Sequence, residues 1–244
     1  MKGDLRIFIG WDSREPAAAA VLAHSILARA TAPAYLVPLT RRAVGGAYTR
    51  PRAATESTEF SLTRFLVPYL SRYEGWSVFM DGDMLCRADI WELMTHVLDQ
   101  RDKAVLVCQH DYVPKTATKM DGQPQTRYPR KNWSSLMVFN NKLCRSLTRE
   151  YVNTATGAEL HQFAWVPDDA IGSLPLTWNW LVGEYAPNPD AEMLHYTLGG
   201  PWFAEQARCD HADLWLAEFE AMAGVPFARP AWHGRWFPFL RRGA

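Results

Sequence analysis

The sequence predicts a single α/β domain with a mostly parallel central sheet flanked by helices. Short apolar runs typical of strands alternate along the chain with longer segments of helical spacing, which is the order found in parallel α/β sheets. The chain has 244 residues, enough for one domain with a sizeable core. Residues 77–80 are apolar or small and stop abruptly at Asp81, as a buried central strand does where it reaches a functional edge.

The individual elements follow from hydrophobic periodicity. Strands are predicted where short apolar runs rich in β-branched or aromatic residues occur. They cover 5–9, 34–37, 77–80, 104–108 and 136–139. Helices are predicted where apolar residues recur every three or four positions, and Pro16 is well suited to open the first one. They cover 16–29, 60–73, 90–98, 142–151 and 212–222.

Two segments lack such periodicity. Residues 41–58 are rich in Arg, Gly, Pro, Thr and Ser, which indicates a surface loop. Residues 111–132 form the longest irregular stretch and carry five basic side chains, Lys115, Lys119, Arg127, Arg130 and Lys131. This stretch is either a flexible lid or acceptor loop beside a functional site, or a solvated excursion without such a role.

The composition is that of a soluble globular protein. Apolar residues make up 48% and charged residues 21%, and 26 basic residues balance 26 acidic ones, so the charge gives no reason to propose nucleic acid as a partner. The four cysteines are far apart and include no Cys-x-x-Cys pair, which argues against a zinc site or disulfide framework. No export signal and no run of about 18 apolar residues is found. We therefore expect a cytoplasmic protein.

The triplet Asp81-Gly82-Asp83 is the strongest chemical signal in the chain. Two carboxylates at positions i and i+2 of a turn can point at one cation, and Gly82 allows the backbone to bend between them. Carboxylate oxygens suit hard divalent ions, which also bridge phosphates. The triplet therefore predicts a metal-diphosphate site at the end of the strand, although Asp-Gly-Asp is also common in ordinary turns.

A second signal lies at residues 194–203. His195 precedes Gly199 and Gly200, whose backbone amides can approach an anion closely. A histidine nitrogen beside two carboxylates favours manganese over magnesium as the bound ion. The alternative is a histidine with a purely structural role.

Together these segments resemble GT-A-fold glycosyltransferases, and among them the glycogenin-like family 8 group. The matching segments are 7–12, the helix 63–70, the DxD segment 79–85 and the histidine segment 195–202. The resemblance implies one domain over 1–244, with a nucleotide-binding half at 5–110 and a donor-sugar and acceptor half at 111–203. A C-terminal helix and an aromatic and basic tail occupy 204–244.

The resemblance also implies roles for individual residues. Asp81, Asp83 and His195 would hold a manganese or magnesium ion, and the two aspartates would also contact the donor. The other implied donor-binding residues are Trp11 and Asp12 at the nucleobase, Arg64 at the ribose and diphosphate, and Ser134, Gly199 and Gly200. For Arg64 a helix-surface ion pair is the alternative.

Three departures from the family pattern affect these roles. Gly200 stands where the family usually has a lysine that touches the diphosphate, so leaving-group neutralisation would depend on the metal, on glycine amides or on an arginine from the loop. Trp133-Ser134-Ser135 replaces the usual Asn-Ser/Ala-Gly, which predicts a reshaped donor-sugar pocket. Asp168 and Asp169 are the candidates beside the anomeric carbon, with a helix cap as the alternative. His161-Gln162 is a second, less favoured match to the same family segment.

The resulting expectation is a metal-dependent hexosyltransferase that moves a sugar from a nucleotide sugar, with UDP as the implied nucleotide, to a glycan or lipid-linked acceptor. The resemblance implies a retaining reaction. The alternatives are a degenerate carbohydrate-binding or scaffold domain and a phosphatase of the haloacid dehalogenase type. The aromatic and basic tail at 229–242 suggests peripheral membrane contact, but packing on the domain is the favoured interpretation because prolines interrupt any amphipathic helix there. The oligomeric state stays open.

Overall fold

The computed structural model describes residues 5–53, 56–115, 118–119, 123–124 and 129–224. Its strands in chain order are β1 (Leu5–Gly10), β2 (Ala34–Leu39), β3 (Trp76–Met80), β4 (Met84–Cys86), β5 (Val105–Cys108), β6 (Thr118–Lys119), β7 (Gln123–Pro124), β8 (Leu136–Asn140), β9 (Ile171–Leu174), β10 (Trp180–Leu181) and β11 (Met193–His195). The tail at 229–242 and most of the loop between 116 and 128 lie outside the described residues, so the predictions made for them stay predictions.

Six strands form the central sheet in the order β2-β1-β3-β8-β5-β9. The pairs β1–β2, β1–β3 and β5–β9 are parallel, whereas β8 runs antiparallel to both of its neighbours. The prediction of a mostly parallel α/β sheet is therefore confirmed. The carboxyl ends of β1, β3, β5 and β9 all lie at one edge, which is where ligands bind in sheets of this kind.

A second, small sheet in the order β10-β11-β4 brings two distant segments together. Within it β11 is antiparallel to β4, and the pairing sets His195 opposite Met84, the residue directly after Asp83. The sequence analysis did not predict these three strands, because runs of two or three residues carry too little periodicity to recognise. The small sheet nevertheless decides where His195 lies.

The helices are α1 (Pro16–Arg29), α2 (Val67–Leu70), α3 (Ile90–Leu93), α4 (Arg149–Thr154), α5 (Gly157–His161) and α6 (Ala212–Ala223). The first and last agree with the predicted helices. The helix predicted over 60–73 is only a 3₁₀ turn at Thr63–Leu66 followed by α2. It ends early because Arg72 and Tyr73 adopt left-handed conformations, with φ of 55° and 57°. The helix predicted over 142–151 is likewise replaced by a 3₁₀ turn, Asn141–Leu143, and α4.

The hydrophobic core covers both faces of the central sheet. Phe8 and Phe79 pack on one face, while Ile7 and Val78 pack on the other, as the two-residue repeat of a strand requires. Each fully buried side chain of this kind contributes about 1.5–3 kcal/mol. A third cluster, which includes Trp215 of α6, packs α6 against α1 and the small sheet.

The remaining global features are limited to the part of the chain that the structure describes. No helix there combines the length and the apolar character needed to cross a bilayer. All four cysteines are free, in line with the prediction, and burial raises the pKa of the Cys86 and Cys144 thiols to about 12.

Candidate metal and donor site

The backbone of the Asp81-Gly82-Asp83 turn is fixed from two sides. The amide of Asp81 donates to the carbonyl of Ser135 at 2.9 Å, and the carbonyl of Asp83 accepts from the amide of Tyr196 at the same distance. A Cβ atom at Gly82 would lie 2.2 Å from the carbonyl oxygen of Gly10, so only glycine fits where the end of β1 approaches the turn. The turn therefore holds both carboxylates at the carboxyl end of β3.

Asp81, Asp83 and His195 form one compact cluster. Nε2 of His195 lies 3.4 Å from Oδ1 of Asp83 and 3.9 Å from Oδ2 of Asp81. One possible ligand atom from each residue lies within 4.8 Å of the others. Oδ1 of Asp83 is buried and accepts no hydrogen bond from the described residues, a costly arrangement unless a cation or a donor completes it. The donor set of two carboxylates and one imidazole suits a divalent ion.

Asn179 orients the imidazole of His195. Its Oδ1 lies 2.9 Å from Nδ1 of His195, and because this oxygen can only accept, the proton resides on Nδ1. Its Nδ2 donates to Oγ of Ser135 at 2.8 Å, which fixes the amide orientation. Nε2 is therefore the ring nitrogen that faces the carboxylates and that would bind a cation, as in histidines that bind metals. Sequence analysis did not predict this role of Asn179, because it depends on a contact with His195, which lies 16 residues further along the chain.

Arg64 is a buried part of the site. Its Nη1 lies 2.7 Å from Oδ1 of Asp81 and donates to the carbonyl of Ser134 at 2.8 Å. The guanidinium packs over the rings of Phe79 and Phe60, with centroid distances of 4.9 and 5.2 Å. With 5% of its surface exposed, Arg64 is not a surface ion pair, the alternative that the sequence left open.

These side chains line a cavity of about 380 Å³. Of the residues predicted from sequence, Asp81, Asp83, His195, Arg64 and Ser134 line it. The other charged or titratable residues in its wall are Arg50, Glu56, Lys131 and His161. The wall is thus polar and carries both signs of charge.

The two residues predicted to contact the nucleobase do not line this cavity. Asp12 is buried, and its carboxylate accepts from the side chain and backbone of Arg14 and from the amide of Glu59. Burial alone would raise the pKa of Asp12, but these donors outweigh it and lower the pKa. Trp11 is half-buried and packs against the core.

Gly199 and Gly200 also lie away from the cavity wall. The amide of Gly199, whose φ is 98°, donates to the carbonyl of Tyr196 at 2.7 Å, so it closes a turn of its own chain. A Cβ atom at Gly200 would lie 2.1 Å from the ring of Trp202, so glycine makes room for the indole. Nε1 of Trp202 in turn donates to Glu15 at 3.2 Å. The left-handed turn explains why residue 199 is a glycine, and the packing of the Trp202 indole explains why residue 200 is a glycine.

Asp168 and Asp169, the predicted catalytic residues, stand at a different place in the sheet. They precede the amino end of β9, whereas Asp81 follows the carboxyl end of β3, and the two strands run in the same direction. Asp168 has an exposed side chain that pairs with Arg130 at 2.7 Å. Neither aspartate lines the cavity.

The less favoured match, His161-Gln162, does line the cavity. Nδ1 of His161 hydrogen-bonds with Oγ of Ser134 at 2.7 Å, and its ring lies edge-on to Phe65 with centroids 5.2 Å apart. This pair therefore occupies the same wall as Arg64 and Ser134. The signal that points to it is the capping box of α5, in which Thr156 and Glu159 fix the helix that carries His161.

The chain is 48% identical over 229 residues to Protein CDI of Arabidopsis thaliana, and the match covers 90% of this chain and 87% of that protein. The chain belongs to the family of Protein CDI. No protein-family model matches the chain.

Several solved glycosyltransferases share the fold. The bifunctional glycosyltransferase WbbM has a TM-score of 0.61 at 16% identity, over 93% of this chain and 50% of that one. GlyE of Streptococcus pneumoniae has a TM-score of 0.58 at 13% identity, over 91% and 62%. The galactosyltransferase LgtC, solved with donor and acceptor sugar analogs, has a TM-score of 0.55 at 12% identity, over 91% and 98%.

The chain therefore spans about half of WbbM and somewhat less than two thirds of GlyE, but nearly all of LgtC. At identities of 12–16% these likenesses establish the fold, which is that of GT-A glycosyltransferases. In this member of the Protein CDI family, the possible metal cluster lies at the carboxyl end of a central strand of that fold.

Proposed function

We propose that this protein is a metal-dependent glycosyltransferase that takes a sugar from a nucleotide-diphosphate sugar and transfers it to a glycan or lipid-linked saccharide. The observation that carries the proposal is the cluster of Asp81, Asp83 and His195, with its orphaned carboxylate oxygen, on the wall of a cavity in a GT-A fold. UDP as the nucleotide, a hexose as the sugar and a family 8 relationship belong to the same proposal and derive from the sequence resemblance.

The residues present fit a divalent ion, which we propose to be manganese, with magnesium as the alternative. Asp81, Asp83 and His195 would hold it, and when bound it would supply Lewis acidity at the donor diphosphate. Arg64 keeps the Asp81 carboxylate in place, and Asn179 keeps Nε2 of His195 facing the ion. Both partners are buried, so the ligands are positioned before the ion or the donor arrives.

The sugar end of the donor would lie against Ser134, His161 and Gln162. Ser134 and His161 are hydrogen-bonded to each other and can each exchange a hydrogen bond with a sugar hydroxyl. Because these residues line the cavity while Asp168 and Asp169 do not, we propose that they support the reacting carbon in place of the two aspartates. The arrangement is compatible with the retaining reaction that the resemblance implies.

The experiment that tests this function is a thermal-shift series with UDP, GDP, CDP and ADP, each with manganese, magnesium or chelator. A ligand at 100 times its dissociation constant adds about 2.7 kcal/mol of stability, which a melting curve resolves. We expect stabilisation by UDP that requires manganese and is lost in Asp83→Asn. The surface substitution Asp190→Asn serves as the matched control, since Asp190 is exposed. A wild-type protein that no nucleotide stabilises would favour the carbohydrate-binding or phosphatase alternatives.

A further inference from the structure

The cavity wall is polar except in one region. Among the described residues of the wall, those without a polar side chain are Ala53, Leu62, Gly157 and Ala158. Leu62, Gly157 and Ala158 form an apolar patch where the residue before the 3₁₀ turn at Thr63–Leu66 meets the first turn of α5. An apolar group of a ligand leaves water most favourably against this patch.

Gly157 gives the apolar patch open space. A Cβ atom at residue 157 would meet, among the described atoms, only Cδ2 of Leu62, at the ordinary van der Waals distance of 3.8 Å. Gly157 is not one of the glycines with positive φ, so neither its backbone nor its packing demands a glycine. Because glycine costs helix stability relative to alanine, the room that it leaves in the cavity explains its place better.

The helix α5 sets the distance between the apolar patch and the residues proposed to bind the sugar. Gly157 precedes His161 by four residues and Ala158 precedes Gln162 by four, so each pair lies on one side of the helix. All four residues line the cavity. Four residues correspond to a rise of about 6 Å. A sugar ring that hydrogen-bonds with His161 can therefore place a substituent against Gly157.

Glu56 adds a buried carboxylate to the same wall. It is 8% exposed, and its Oε1 accepts from the amide of Ala53 at 2.9 Å. Its Oε2 accepts no hydrogen bond from the described residues. Nη1 of Arg41 lies 3.8 Å from this oxygen, close enough to balance the charge but too far for a hydrogen bond. Oε2 therefore lacks a donor, which is a costly state for a buried carboxylate.

Contacts of Arg50 hold the segment before Glu56 against the start of α5. Nη1 of Arg50 donates to the carbonyls of Val152 and Ala155, at 3.2 and 2.7 Å, and Ala155 lies two residues before Gly157. Arg50 and Glu56 both line the cavity together with Gly157. The buried carboxylate and the open apolar patch thus belong to neighbouring segments of one wall.

This wall suits a substituent that combines a hydrogen-bond donor with a small apolar group. Oε2 of Glu56 needs the donor, and the apolar patch takes the apolar group. An acetamido substituent supplies both, because its N–H donates and its methyl group is apolar. A hydroxyl group supplies a donor without the methyl group, and a uronate would bring a second negative charge towards Glu56.

We propose that the donor sugar is an N-acetylhexosamine, whose amide N–H binds Glu56 and whose methyl group packs against Gly157 and Leu62. This inference rests on the proposed function and names the class of sugar that the cavity takes. It makes Glu56 and Gly157 the residues that determine donor specificity.

The test is a set of calorimetric titrations with manganese. The ligands are UDP, UDP-N-acetylglucosamine, UDP-N-acetylgalactosamine, UDP-glucose and UDP-galactose, and the proteins are wild type, Gly157→Val and Glu56→Gln. Gly46→Val is the control for the first variant, because open space surrounds Gly46 and it lies off the cavity wall. Glu205→Gln is the control for the second, because Glu205 is exposed and also lies off the wall.

Melting temperatures verify that each variant is folded. If Gly157→Val does not fold, Gly157→Ala takes its place, since a Cβ atom at this position fits without a clash. The titration with UDP reports on the nucleotide site separately from the sugar, so a change confined to the nucleotide sugars locates the effect at the sugar.

We expect wild-type protein to bind each N-acetylhexosamine donor about tenfold or more tightly than the matching hexose donor, the effect of one hydrogen bond to a charged group. Gly157→Val and Glu56→Gln should each remove most of this preference and leave the affinity for UDP unchanged, whereas both control variants should keep it. Equal affinities of the wild type for the two kinds of donor, or a preference that survives both substitutions, would overturn the inference and leave the proposed function in place. Failure of the wild type to bind UDP and every UDP-sugar with manganese would overturn both.

Discussion

His110 makes the stability of this protein depend on pH in a predictable direction. The side chain is 5% exposed, hydrogen-bonds with the hydroxyl of Tyr185 at 2.9 Å and packs edge-on to Tyr112. The backbone carbonyl of His110 accepts a hydrogen bond from the indole of Trp133 at 2.9 Å. Burial, with a smaller contribution from the nearby His195, lowers the pKa of His110 to about 3, so the folded protein keeps this ring neutral.

The magnitude follows from the difference between the folded and unfolded pKa. A histidine in the unfolded chain titrates near pH 6.5, so at pH 5 the unfolded state binds a proton at this position and the folded state does not. Stability therefore falls as pH drops below about 6.5, and it continues to fall until about pH 3. Because pH 5 lies about 1.5 units below the unfolded pKa, the free energy of unfolding at pH 5 should be about 2 kcal/mol lower than at pH 7.5.

Urea unfolding at pH 7.5, 6.0 and 5.0 measures this effect in wild-type protein and in His110→Asn. The variant is expected to be less stable at pH 7.5 because it loses the ring contacts, but its disadvantage should shrink by about 2 kcal/mol at pH 5. Leu98→Ala is the control, because Leu98 is 46% exposed and carries no titratable group, so this variant should keep the wild-type pH dependence. Parallel pH profiles for wild-type protein and His110→Asn would refute the assignment of a neutral, buried His110.

Two further substitutions test the packing around the site and the helix pair. Gly82→Ala places a Cβ atom 2.2 Å from the carbonyl oxygen of Gly10, so we expect this variant to lose about 1–3 kcal/mol of stability and to bind nucleotide with metal more weakly by calorimetry. Gly46→Ala is the control, because open space surrounds Gly46, and it should cost far less stability. Equal losses of stability in the two variants would contradict the reasoning. Glu218 of α6 pairs with Arg29 and His24 of α1. Burial would raise the pKa of Glu218, but these two partners outweigh it and lower the pKa. Glu218→Ala should therefore lower the stability at pH 7 by about 1 kcal/mol after solvent screening. This loss of stability is present above pH 4.5, the ordinary pKa of a glutamate, and disappears as the pH falls through the lower pKa of the folded state. If urea unfolding shows the same loss at pH 7 and in acid, the ion pairs are not its source.

Much of the fold could be predicted because the relevant signals are local. Apolar runs marked the strands of the central sheet, and Pro16 marked the start of α1. The placement of Asp81 at the edge followed from the abrupt change from apolar to charged residues after β3. The glycine-rich segment after His195 suggested this residue as a third ligand, and the resemblance implied the same. The structure brings the three residues together through the pairing of β11 with β4.

The positions of several predicted site residues relative to the cavity could not be derived from the sequence, because they depend on contacts between distant segments. Asp168 and Asp169 matched a motif, but the direction of β9 places them at the other end of the strands from Asp81. Gly199 and Gly200 suggested anion-binding amides, yet one closes a turn and the other gives space to an indole that lies two residues away. No local pattern encodes such contacts.

The most direct test of the central claim is the release of UDP from UDP-sugars by purified protein, with manganese or with chelator, in wild-type protein, Asp83→Asn and Asp190→Asn. The proposed site predicts release by wild-type protein and Asp190→Asn that requires the metal and rises when an acceptor glycan is supplied. It predicts that Asp83→Asn, folded by its melting curve, has lost this activity, because the cluster keeps only Asp81 and His195 as charged or imidazole ligands. Undiminished, metal-dependent release by folded Asp83→Asn would contradict the account.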